Sequence, residues 1–276
     1  DQMENFELRD RYLHEIEHLP QKQQLSRHLL LAESALGRRD YPTAAQNLEA
    51  AAKINGNLSR LVRLQLRYAF DHGDASDVLA KAEKLVKAGA INDYEAEQYQ
   101  NWAYRRLLSE VTDAGRLKAC LKQIPENVKS GELCVAIAEK YERLGLYAEA
   151  VKWVKTHYPQ NRQPELLEAF VESVRFLSER DQQKAIDLAD SWLQEQPDNA
   201  LLLMYLGQLA YGRKLWGKAQ GYLEASIALQ PSVSAHLVLA RVFDETDQPQ
   251  KAQEQRNLVL ESVAEEEHPA ALPQPN

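Results

Sequence analysis

His14-Glu15-Ile16-Glu17-His18 matches the HExxH spacing by which zinc peptidases hold their metal. Two histidines four apart share one face of a helix and can share a zinc ion, with the glutamate placed as general base. The chemistry also needs a third ligand and a cleft framed by folded elements. Here the motif sits against the Leu19-Pro20 break, and no strand precedes it. The nearest candidate ligand, Glu33, belongs to the helix of a repeat. His14 and His18 therefore read as partly exposed helix residues, able to collect a metal adventitiously without catalysis. GxGxxG, P-loop and GxSxG patterns are absent, so neither a dinucleotide enzyme nor a nucleotide hydrolase of those types is supported. The expectation is a chain that is not an enzyme, with no catalytic, cofactor or metal residues. His28 and His236 read as packing side chains.

The elements that position these residues are helices. The 276-residue chain is 44% hydrophobic and 27% charged, a balance that folds. Eleven glycines and eleven prolines leave little turn chemistry for an all-β fold. A net charge of −8 argues against a uniform nucleic-acid-binding surface and leaves room for a local basic patch. Cys120 and Cys134 form no CxxC unit and read as small packing residues. No apolar run approaches the roughly 18 to 20 residues needed to cross a bilayer. The sequence opens at Asp1, and the expectation is a piece of a longer chain.

Small residues recur in pairs twelve positions apart: Ala32 with Ala44, Ala138 with Ala150, Ser173 with Ala185, Gly207 with Ala219, and Ala240 with Ala252. A small residue on one helix facing a small residue on the next lets two antiparallel helices approach closely, while large neighbours such as Leu206, Tyr141 and Phe176 fill the groove. From Ala150 the second members step by 35, 34 and 33 residues to Ala185, Ala219 and Ala252. That is tetratricopeptide-repeat spacing. The predicted fold is an all-α tetratricopeptide solenoid of stacked antiparallel helix hairpins, one continuous array rather than two globular domains. Residues 1–24 read as an N-terminal helix region, 25–263 as the array, and 264–276 as a flexible acidic and Pro-rich tail. Residues 57–125 carry helical periodicity without a legible register, with Ala103 and Gly115 as one candidate pair.

In such an array the first helix of each hairpin lines the binding face. Its residues outside the hairpin core are the candidates: Phe170, Val174 and Leu177; Leu201, Met204, Gln208 and Tyr211; Glu139 and Glu142; Arg241 and Asp244. An apolar, aromatic groove of this kind suits a peptide or helix; the Leu and Phe positions read equally well as packing against neighbouring repeats, and Met204 and Tyr211 are the residues expected to be exposed. Arg60, Arg63 and Arg67, spaced i, i+3, i+7, share one helix face and favour carboxylates or phosphates. Arg105 and Arg106 extend the patch if the next hairpin stacks in register. The alternative is a solvated face balanced by Asp71, Asp74 and Asp77.

The stretch LLLMYLGQLAYGRKLWGKAQGYLEASIALQPS (201–232) resembles the C-terminal repeat of the proteobacterial HemY family. LLLAESALGRRDYPTAAQNLEAAAKI resembles that family's first repeat, and YQNWAYRRLL followed by VAIAEKYERLGLYAEA is similar to its middle. The resemblance covers most of residues 25–262. It implies a bacterial inner-membrane protein, anchored by a segment preceding Asp1, whose tetratricopeptide domain lies on the cytoplasmic side and is associated with late haem or porphyrin synthesis. It brings no catalytic residues. The leading function is a non-catalytic scaffold for other proteins, haem-pathway enzymes among them. The alternatives are a haem or porphyrin carrier, with tetrapyrrole propionates on Arg60, Arg63 and Arg67 and a histidine as axial ligand, and a general assembly factor unrelated to haem.

Overall fold

Of the eight described residues in the left-handed region, five lie seven positions past a small-pair site or its equivalent. They are Arg39 (φ 58°), Gly73 (75°), Gly145 (70°), Lys214 (58°) and Asp247 (56°). A left-handed residue closes the end of a helix and sends the chain back antiparallel. Counting back from Gly73 gives Leu66, and twelve positions on from Leu66 is Val78. This fixes the register of residues 59–87, part of the stretch that the sequence left open. Leu66 and Val78 share one buried cluster, a close-packed pair made of large residues and therefore invisible to a search for small ones.

The computed structural model describes residues 21–267. Among them are fourteen α-helices, arranged as seven hairpins. In the first unit these are α1 (Gln21–Gly37) with α2 (Tyr41–Asn55), α3 (Ser59–His72) with α4 (Ala75–Lys87), and α5 (Asp93–Glu110) with α6 (Ala114–Gln123), followed by a 3-10 turn (Glu126–Val128). In the second they are α7 (Gly131–Arg143) with α8 (Tyr147–Asn161), α9 (Pro164–Val174) with α10 (Glu179–Glu195), α11 (Ala200–Gly212) with α12 (Trp216–Leu229), and α13 (Val233–Glu245) with α14 (Pro249–Glu267). The units divide between Lys129 and Ser130. Each is a stack of hairpins, and the fold class is the tetratricopeptide-repeat solenoid expected. None of the described helices is long and apolar enough to cross a membrane.

Side-chain caps begin many of these helices. Asp40, Asp74, Asn92, Asp113, Asn199 and Ser232 each accept the backbone N–H three residues on, at 2.8–3.3 Å. Such caps satisfy donors that a helix start leaves open. The small-pair alanines at 32, 44, 138, 150, 219, 240 and 252 are all buried. Two first helices carry matching ties. The His28 ring meets Asn47 at 2.9 Å, and the His236 ring meets Gln255 at 2.7 Å, each across its own hairpin. Both histidines stand four residues before a small-pair alanine and are the half-buried packing groups expected of them.

Three details of the expected packing change. A Cβ on Gly207 would lie 2.5 Å from Leu223 Cγ, so the neighbour that requires a glycine there is Leu223 rather than Ala219. Phe176 is not a filler. Its hairpin turns without a left-handed residue, which leaves the ring 62% exposed and stacked on Tyr147 at 4.1 Å. Gly115 is exposed and does not pair with the buried Ala103, because the turn after Glu110 is also of another kind.

Candidate functional sites on the first-helix faces

In the second unit the first helices α7, α9, α11 and α13 pack in succession, which gives that unit a continuous first-helix face. A cavity of about 390 Å³ opens where α9, α11 and α13 meet α10. Its floor is Val174, Ile186, Leu209 and Val238, all buried. Three guanidinium groups, of Arg175, Arg213 and Arg241, stand around it with Gln182, Gln208 and Tyr211. No Asp or Glu lines it. Arg175 pairs with Glu172 at 3.0 Å and Arg213 with Glu179 at 3.3 Å, both acids lying outside the lining. Arg241 is exposed and has no ion pair among the described residues. The next acid along its helix, Asp244, is taken by Arg256.

Toward α7 the same face turns acidic. Tyr205 on α11 has its phenol pushed up to about 12, by burial first and then by Glu168, Glu172 and Glu165. The Glu142 carboxyl is raised by burial and by Glu172, Glu139 and Glu168, with Arg143 opposing. The face of the second unit is thus divided, acidic at α7–α9 and basic at α9–α13.

In the first unit Arg60, Arg63 and Arg67 do line one cavity, of about 460 Å³, with Leu64, Leu66 and Phe70 of α3, Glu33 of α1 and Glu95 and Tyr99 of α5. Two of the three are engaged. Arg60 holds Glu33 at 2.7 Å. Arg63 meets Glu95 at 3.5 Å and donates to the Ala90 carbonyl. Arg67 forms no ion pair among the described residues. Beside it Phe70 packs on Trp102 at 4.3 Å and edge-on to Tyr99 at 6.2 Å. The balancing acids are therefore not Asp71, Asp74 and Asp77: Asp74 caps α4 and Asp77 pairs with Lys81. Arg106 does not extend the patch, since it lies against the Gly73 turn and pairs with Glu110.

The other expected binding residues divide by burial. Phe170 is 1% exposed and its ring meets Trp192 at 5.2 Å in the core. Val174 is buried as well and reaches the binding face only as cavity floor. Met204, expected to be exposed, is buried at 6% because α13 packs over it. Leu201 is half-buried between two clusters. Leu177 is half-buried in the turn after α9, where its carbonyl accepts from Gln182 at 3.1 Å. Gln208, Tyr211 and Arg241 reach the cavity. Sequence reading missed Arg175 and Arg213, which follow the ends of α9 and α11 and belong to no periodic face. The HExxH segment lies outside the described residues. Among those described, no group of three or more His, Cys, Asp or Glu side chains is arranged to hold a metal ion.

No protein-family description matches the chain, and no curated protein matches it. Solved structures similar to it include a tetratricopeptide repeat protein from Parabacteroides merdae, 12% identical over 87% of this chain and 93% of that one, with a TM-score of 0.42. Another is the APC/C hetero-tetramer Cut9-Hcn1, 16% identical over 90% of this chain and 47% of that one, TM-score 0.43. A third is a MamA mutant, 13% identical over 62% of this chain and 99% of that one, TM-score 0.38. Identity this low leaves partner and chemistry to be read from this chain's own residues.

Proposed function

We propose that this chain is a non-catalytic scaffold that holds other proteins on its first-helix faces. A tetratricopeptide array is consistent with a protein-interaction role. The observation that carries the reading is the second unit's cleft, an apolar floor ringed by donors that offer contacts to a chain segment rather than acid–base or nucleophilic chemistry. Support for a narrower role comes from residues 201–232 and their resemblance to the HemY family. On that basis the partners are enzymes of late haem or porphyrin synthesis, the place is the cytoplasmic side of a bacterial inner membrane, and the chain itself needs no cofactor.

The test is a photo-crosslinking amino acid at position 211, followed by identification of the captured proteins from membranes. Haem-pathway enzymes captured at Tyr211, and not at the exposed Lys118 of the first unit, are the expected result. Capture of unrelated proteins alone returns the chain to a general assembly factor. Capture of nothing removes the scaffold reading.

A haem or porphyrin carrier is the second reading, and one observation favours it. Arg67, without an ion pair among the described residues, stands beside Phe70 and Tyr99 in the first unit's cavity, a cation next to aromatic rings that suits a propionate-bearing macrocycle. Saturable Soret shifts with protoporphyrin IX, lost in Arg67→Glu, are its expected signature. Titration without a shift ends it.

A further inference from the structure

The second unit's cleft has more donors than acceptors. Arg213 is largely covered, with 23% of its side chain exposed, and its Nε is buried without a hydrogen-bond partner. A buried donor left unmet costs about 1–3 kcal/mol, and more when charged. Among the described residues the amide nitrogen of Gln208 finds only the Met204 sulfur, at 3.4 Å, a weak acceptor. Arg241 is unpaired among the described residues. Gln182 is occupied, closing the turn after α9 through the Arg175 and Leu177 carbonyls at 3.3 and 3.1 Å.

Charge sets the size of what is missing. Glu172 and Glu179 balance two of the three arginines from outside the lining, which leaves about one positive charge over the apolar floor. Guanidinium forks match carboxylates in geometry as well as charge. One carboxylate supplies that charge and the acceptors that Arg213, Gln208 and Arg241 lack. A polyanion is disfavoured by the protein's own net charge of −8 and by the acidic half of the same face. The cavity, at about 390 Å³, lies at the small end of ligand-site volumes, about 300–1,000 Å³, with room for a few side chains. Because it opens along three first helices, a bound segment can continue over them.

We propose that this cleft takes an acidic segment of a partner protein, seating an Asp or Glu carboxylate among Arg213, Arg241 and Gln208 and an adjacent aliphatic or aromatic side chain on Val174, Ile186, Leu209 and Val238. This rests on the scaffold reading and names the chemistry of what the scaffold holds.

The experiment selects a phage-displayed library of random dodecapeptides on the whole chain, then measures the selected peptide by calorimetry. Peptides carrying Asp or Glu beside Leu, Ile or Phe are expected. Replacing that acid with its amide weakens binding at least tenfold, as does Arg241→Glu. Lys118→Glu, an equal charge change in the other unit, leaves affinity within twofold. Because Arg241 is exposed, its variant is expected to keep the fold, and circular dichroism checks it. Selection of neutral or basic peptides, selection of none, or affinity indifferent to Arg241→Glu overturns the proposal, as does a single-stranded RNA oligonucleotide that displaces the peptide. If crosslinking at position 211 still captures partners in those cases, only the carboxylate chemistry falls. If that capture fails too, the scaffold reading falls with it.

Discussion

The two clefts each gather three arginines over apolar side chains, and they differ in how the arginines arrive. In the first unit all three come from one helix, α3, at i, i+3 and i+7, and two are held by glutamates that themselves line the cavity. In the second they come from three separate places in the fold, and the acids that touch two of them lie outside the lining. A row of charges on one helix is easy to see and is largely met by its neighbours. A ring of charges assembled from several hairpins cannot be seen in one window of sequence, and it is the one left with an unmet donor.

The contrast implies that apolar residues on first helices of the second unit hold the stack together, while the polar ones around the cavity bind. The strongest way to break it is Phe170→Ala. Removal of this fully buried ring is expected to cost about 3–5 kcal/mol, read as a lower midpoint in urea and heat melts. A variant of unchanged stability that loses partner capture would instead return Phe170 to the binding face.

A smaller effect separates the arginines of the first unit. Arg63 ties α3 to the Ala90 carbonyl and to Glu95, so Arg63→Ala is expected to cost about 0.5–1.5 kcal/mol. Arg67→Ala, away from any such tie, is expected to stay within about ±0.5 kcal/mol. Equal losses in chemical denaturation would mean that Arg67 has a structural partner as well.

The smallest effect sharpens the division of charge along the second unit. The Glu142 carboxyl is raised by burial and by Glu172, Glu139 and Glu168. A raised folded value means that the folded state favours the protonated acid. That stabilisation is fully present below the ordinary value of 4.5 and is lost as pH rises through the raised one. Glu142→Gln removes the dependence. Its melting temperature is therefore expected to exceed the wild type's at about pH 7 and to converge with it below about pH 4. A gap that is constant with pH would mean the acids do not interact.

The register of residues 59–87 shows why part of the fold was hidden. Ala32, Ala138, Gly207 and Ala240 announce their hairpins because close approach there demands a small side chain. Leu66 and Val78 occupy the same positions, fill the space themselves, and carry no such mark. Only the left-handed Gly73 reveals the equivalence. Met204 went the other way. Its spacing on α11 assigned it to the open face, and the neighbouring hairpin covered it.

The sequence by itself determined the helical class, the hairpin as the repeating unit and the small residues that mark several of the close approaches. All three follow from periods of a few residues and from side-chain volume within one hairpin. Tertiary structure alone decided which face positions stay open and which charges meet. Burial of Phe170 and Met204, pairing of Arg60 with Glu33 across 27 residues, and convergence of Arg175, Arg213 and Arg241 all depend on how successive hairpins stack. That stacking is set by the packing of several helices at once, and no local pattern in the chain encodes it.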